Sequence, residues 1–150
     1  DMGALVDIKR DLITVRSSGL KAIKADLSDS IDLLPTMAVL AAVAEGVSKF
    51  TGIERARLKE SDRVSAVREG LEKMGITVRE DRNRITIVGS RPKGAIIDSK
   101  GDHRIAMAFG ILGSLAGETV IKDAECVSKT FPQFWDILRS IGGEVKIYGE

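Results

Sequence analysis

Apolar and polar positions alternate at the start of the chain, through Leu5, Asp7 and Lys9 and again through Ile13, Val15 and Ser17. Period two predicts two strands of a hairpin, turning near Arg10-Asp11. A third strand is expected from Leu20 to Ala25. Asp32 then stands where a helix cap belongs, ahead of an apolar helix from Leu33 to Ala44. Pro35 is tolerable in its first turn, and Gly46 lies just past its end. Val47 to Ala56 reads as extended. From Asp62 to Met74 the period changes: Val64, Val67, Leu71 and Met74 share one face of an amphipathic helix that Gly75 stops.

The order then begins again. Ile76-Thr77-Val78 and Ile85-Thr86-Ile87-Val88 predict a second hairpin around Asp81-Arg82-Asn83, and Ala95 to Asp98 a strand. Asp102 caps a helix reaching Leu115, with Gly117 at its end. Thr119 to Asp123 is a strand. Thr130 opens a last helix through a Thr-x-x-Gln capping box with Gln133. Gly142-Gly143 precedes a closing strand from Val145 to Tyr148. Seventy residues separate Asp32 from Asp102, and seventy separate Lys59 from Lys129. We therefore read residues 1–150 as one domain of two tandem units, about 13–80 and 85–150, with copies packing around a shared core.

Composition narrows the functional classes. Net charge is only +1 and aromatics make up 4% of the chain, so neither a global field nor stacking platforms favour nucleic acid. Cys126 and His103 are the sole residues of their types, which excludes an internal disulfide and argues against structural zinc. No apolar run has membrane-spanning length, Met37 to Ala44 being the longest. A start at Asp1 rather than Met, with no secretory signal, leads us to expect a cytoplasmic protein of which this is a piece.

Against this balanced background two cationic blocks stand out: Lys59-Glu60-Ser61-Asp62-Arg63 and Asp102-His103-Arg104. Each puts basic groups at a helix N-terminus, the end whose dipole disfavours cations. Such placement suits an anion held jointly by free backbone N–H groups and side chains. Lys59 and Lys129 recur at one place in both repeats, and Arg63 and Arg104 can each present a planar fork to carboxylate or phosphate. Asp102 reads as a helix cap and Cys126 as packing. Glu60 reads as first-turn charge compensation or as a proton-transfer group, and His103 as structural or as a donor at an anion site.

Three segments, Leu58-Lys59-Glu60-Ser61-Asp62-Arg63, Asp102-His103-Arg104-Ile105-Ala106-Met107-Ala108 and Ser128-Lys129-Thr130-Phe131-Pro132, closely resemble the EPSP synthase (3-phosphoshikimate 1-carboxyvinyltransferase) family in order and spacing. The resemblance covers the chain but only the C-terminal third of the family's length. It implies an inside-out α/β domain of repeated βαβαββ units, with parallel helices packed under a mixed sheet. It implies transfer of the enolpyruvyl group of phosphoenolpyruvate to the 5-hydroxyl of shikimate 3-phosphate, with release of phosphate, in aromatic amino-acid biosynthesis.

No cofactor or metal is implied. The partners are the two substrates and the rest of the enzyme, without which this part is expected to be inactive. By the same resemblance Asp32 is the acid/base aspartate, Lys59 the lysine shared by both substrates and Glu60 the neighbouring proton-transfer acid. Arg63, Arg104 and Lys129 form the clamp on phosphoenolpyruvate, with His103 beside it. Arg55 stands where some members carry a substrate-binding Asn, so that contact is not carried over. The rival readings are a UDP-N-acetylglucosamine enolpyruvyl transferase and a non-catalytic anion-binding module.

Overall fold

The computed structural model describes residues 1–149. Period two becomes strands: β1 (Leu5–Lys9) and β2 (Leu12–Arg16) pair antiparallel as a hairpin of their own, with Arg10 in the left-handed region at the turn. A four-stranded mixed sheet follows in the order β3-β4-β6-β5, from β3 (Lys24–Asp26), β4 (Val47–Thr51), β5 (Thr77–Asp81) and β6 (Arg84–Val88). β3 and β4 run parallel, so a crossover helix must join them. That helix is α1 (Leu34–Val43), and β6 pairs antiparallel with both β4 and β5. A second parallel pair, β7 (Ile96–Asp98) and β8 (Val120–Lys122), is joined by α3 (His103–Ala116).

Helix α1 is apolar nearly all round, and such a helix belongs inside. It buries Leu34, Ala38, Ala41 and Ala42. The amphipathic α2 (Arg63–Lys73) buries Val64, Val67 and Leu71, and α3 buries Ile105, Phe109 and Leu112. With Phe50, Ile85 and Ile87 from the sheet these side chains make one continuous core. Gly70 of α2 lies against the tip of the Phe109 ring of α3, so the two helices approach closely where no Cβ intervenes.

Four expectations from the sequence need correction. Asp32 does not cap α1. It lies inside a 3₁₀ turn, Ile31–Leu33, and the helix begins after it without a side-chain cap, because that carboxylate is engaged by basic groups from other elements. The extended stretch from Val47 stops at Thr51. Gly52 turns there at positive φ, packed so closely on Asp26 and Ser28 that a side chain would collide, and a 3₁₀ turn, Glu54–Leu58, follows.

Thr130 opens no helix; it closes the preceding 3₁₀ turn, its N–H donating to the Val127 carbonyl. The chain forms a 3₁₀ turn over Ala124–Lys129, and α4 (Phe134–Ser140) starts only beyond Pro132, with Gln133 at its N-cap and no side-chain cap bond. Proline disfavours helical backbone in the residue before it, which delays the start. The segment from Val145 to Tyr148 is not a strand. The Arg139 guanidinium donates to the Val145 carbonyl, and among the described residues no strand lies alongside to complete a ladder.

Candidate active site

α2 opens with Asp62, whose side chain accepts from the Ser65 N–H at 3.1 Å, so the next residue must enter the first turn. That residue is Arg63, with only 1% of its side chain exposed. A buried guanidinium at a positive helix end is costly unless anions surround it. Three do. Nε donates to Asp102 Oδ2 at 2.7 Å, Nη1 to Asp32 Oδ1 at 2.7 Å, and Nη2 to Glu60 Oε2 at 2.6 Å, with a longer bond to Asp102 Oδ1 at 3.3 Å. These acids come from the start of α3, the turn before α1 and the loop before α2. Arg63 is therefore the hub that pins three helix starts together.

Further cations close the network. Lys59 Nζ lies 3.3 Å from Asp32 Oδ1, Arg104 Nη2 3.7 Å from Asp32 Oδ2, and Lys129 Nζ 2.9 Å from Glu60 Oε1. Lys129, from the turn before α4, thus meets a residue 69 positions earlier. Burial, the largest single influence on Asp32, pushes its carboxyl up, but the Lys59 hydrogen bond and the Arg104, Lys59 and Arg63 charges together hold it below its usual range. Glu60 is drawn down to about 2, first by the Lys129 hydrogen bond, then by its own backbone N–H and by the Arg63 and Lys129 charges, against some burial.

His103 is buried beside this network, and its Nδ1 has no hydrogen-bond partner among the described residues. Burial, joined by the Arg104 and Lys129 charges, pushes its pKa down against the pull of Asp102 and Glu60, which favours the neutral imidazole.

Asp32, Lys59, Glu60, Arg63, Arg104 and Lys129 therefore join in one ion network, with His103 packed against it by position rather than by a bond from Nδ1. Sequence reasoning missed two members. Asp102 does cap α3, accepting from the Arg104 N–H at 3.0 Å, but it is also the fully buried counter-ion of Arg63. Ser61 donates its hydroxyl to Asp102 Oδ2 at 3.0 Å. The available signal for Asp102 was physical: an Arg forced into a first helical turn needs a buried acid, and Asp102 opens the neighbouring helix.

Four cations against three acids leave this cluster net positive, suited to an anion with proton-carrying groups at its side. A shallow hollow nearby, lined in part by Glu60, Asp62, Glu69 and Lys100, has more acid than base and suits an anion less well. Among the described residues no group of His, Cys, Asp and Glu could hold a metal ion. No helix of those residues is long and apolar enough to cross a membrane.

Comparison with known proteins follows the same lines. The family model described as EPSP synthase (3-phosphoshikimate 1-carboxyvinyltransferase) matches residues 1–138. A 3-phosphoshikimate 1-carboxyvinyltransferase of Dehalococcoides mccartyi is 55% identical over 145 residues, which is 97% of this chain and 34% of the relative. Its namesake from Methanopyrus kandleri is 46% identical over 144 residues, 95% of this chain and again 34% of the relative.

Among solved structures, an EPSP synthase from Acinetobacter baumannii superposes with a TM-score of 0.88 at 31% identity, covering 99% of this chain and 38% of that one. The enolpyruvyl transferase NikO from Streptomyces tendae, at 22% identity and a TM-score of 0.78 over 97% of this chain and 34% of that one, is a likeness of fold alone. The chain spans about a third of the length of these curated relatives.

Proposed function

The chain belongs to the EPSP synthase family, and from that membership we propose that it is one part of a cytoplasmic enzyme that moves the enolpyruvyl group of phosphoenolpyruvate onto the 5-hydroxyl of shikimate 3-phosphate, releasing phosphate. One observation carries the proposal: four segments far apart in sequence bring Asp32, Lys59-Glu60-Arg63, Arg104 and Lys129 into a single charge network. Stability alone is a poor reason for such a cluster, since desolvation cancels much of the gain from buried ion pairs. Two polyanionic substrates, in contrast, must be held together against their repulsion.

In this reading Asp32 accepts the hydroxyl proton and Glu60 serves the enol carbon. Lys59 lies between the two substrates, and Arg63, Arg104 and Lys129 clamp phosphoenolpyruvate, with neutral His103 as a donor beside it. The Arg63 fork is taken up by carboxylates, so an incoming anion reaches it by displacing Asp32 or Glu60, which frees those acids for proton transfer. The remaining contacts would come from the rest of the parent enzyme, and these residues alone would not turn over. The same β-α-β order in β3–α1–β4 and β7–α3–β8 supports a division into two units, about 13–80 and 85–150.

The test is phosphate release by the full-length parent with phosphoenolpyruvate and either shikimate 3-phosphate or UDP-N-acetylglucosamine. Turnover is expected with the first acceptor alone, and Asp32→Ala or Glu60→Gln should collapse kcat far more than binding. Turnover with the nucleotide sugar instead would reassign the enzyme. Turnover untouched by both substitutions would leave the network without a catalytic part.

A further inference from the structure

Lys59, Glu60 and Ser61 lie on a stretch with neither helix nor strand pairing, between the 3₁₀ turn ending at Leu58 and the start of α2 at Arg63. Loops of this kind are mobile unless something ties them. The tie is Arg57. Its Nη1 reaches both carboxylate oxygens of Asp62, at 3.3 and 3.2 Å, which closes the Lys59-Glu60-Ser61 loop at its base. The same guanidinium donates from Nη2 to the Asp81 carbonyl at 2.8 Å and from Nε to the Arg82 carbonyl at 3.2 Å, both at the β5–β6 turn. That turn also grips the other end of the 3₁₀ turn, since Asn83 Oδ1 accepts from the Glu54 N–H at 2.9 Å.

From this geometry, and resting on the function proposed above, we infer that Arg57 is a positioning residue for the reaction: it straps the loop bearing Lys59 and Glu60, and the capped start of α2 bearing Arg63, onto the β5–β6 turn. Arg57 makes none of the ion pairs of the charge network itself; its ion pairs are with Asp62 and Glu80. The role needs a fork. Nε, Nη2 and Nη1 each serve a separate acceptor, the Arg82 carbonyl, the Asp81 carbonyl and the Asp62 carboxylate, and a lysine ammonium, a single point charge on a flexible stem, does not reproduce that fork. Asp62 links the two jobs, because it caps α2 and anchors Arg57 with one carboxylate.

The test is Arg57→Lys in the full-length parent, with kcat, both KM values, thermal midpoint and the amide signals of residues 59–61 read on one preparation. Because reacting groups misplaced by about 1 Å cost on the order of a hundredfold, kcat should fall about ten- to a hundredfold. Both KM values should stay within about threefold, and the amides of Lys59, Glu60 and Ser61 should shift. Arg84→Lys, which weakens a pair with the Asp81 carboxylate and leaves the Asp81 carbonyl that Arg57 holds, should leave kcat unchanged.

Retention of kcat within about twofold, or a loss that merely tracks the folded fraction, overturns the inference. If Arg57→Lys fails to fold, Asp62→Asn, which keeps the cap oxygen and removes the charge Arg57 holds, is read by the same criteria. Should the unsubstituted parent release no phosphate, the proposed reaction falls. The strap is then judged on the amide shifts alone, and unshifted signals reject it.

Discussion

At the scale of single residues the site is a competition between desolvation and pairing. Arg63 is tolerable inside the protein only because three carboxylates face it. The sequence carried half of this. A cation at a helix start opposes the dipole, which marked Arg63 and Arg104 in first turns, and Lys59 and Lys129 just before them, as placed for an anion; that carboxylates of this same chain take up the Arg63 fork could not be read. Asp102 passed for a cap because capping is a local rule, while its pairing with Arg63 spans 39 residues. Glu60 offers the sharpest check. Its carboxyl is drawn from an ordinary value of 4.5 to about 2, chiefly by the Lys129 hydrogen bond. A carboxyl lowered in the folded state adds stability that is complete above its unfolded value and disappears as pH falls toward the folded one. The gap in thermal midpoint between the wild type and Glu60→Gln should therefore be widest above about pH 4.5 and close toward about pH 2. Asp32 and Asp62 are lowered too, so the difference between variants isolates Glu60 where the raw curve cannot. A gap independent of pH would mean that Glu60 is not coupled to Lys129 in solution.

At the scale of elements, period was a good guide wherever one face of an element is buried and the other wet. The β5–β6 hairpin and α2 follow their patterns, with Ile85, Ile87, Val64, Val67, Leu71 and Met74 all buried. Local rules failed where tertiary partners outbid them: Asp32 forgoes its cap for Lys59 and Arg63, and the tail from Val145 lacks the neighbouring strand its alternation calls for. Gly70 shows the same contest in energetic form. In an exposed helix Gly→Ala gains about 1 kcal/mol, but here the new methyl would enter the Phe109 ring, and overpacking costs about 1–3 kcal/mol. Gly70→Ala should therefore lower urea-derived stability. In a Phe109→Leu background, where the ring is gone, the same change should cost at least about 1 kcal/mol less. Equal costs in both backgrounds would show that α2 and α3 do not meet at Gly70.

Across the whole molecule, order is unevenly distributed. The core joins α1, α2, α3 and the four-stranded sheet, so the helix starts that carry the charge network stand on the most cooperative part of the chain. The β1–β2 hairpin is a sheet to itself. Among the described residues its strands pair only with each other, and Leu5, Val6, Ile8, Leu12, Ile13 and Val15 are all at least half exposed. Alternation in sequence predicted these strands correctly yet could not tell that neither face is covered, because a period-two pattern reports which residues share a face and not what lies against it. A lone two-stranded hairpin is marginal in water, whereas β6, central in its sheet between β4 and β5, opens only when the core does. Amide exchange of the 150-residue chain should separate the two: protons of β1 and β2 should exchange at least about a thousandfold faster than those of β6 and of α2 around Val67, with the loop from Lys59 to Ser61 between these limits. Hairpin protection equal to that of β6 would make the chain a single cooperative unit, and the charge network would then stand on the whole fold rather than on its core.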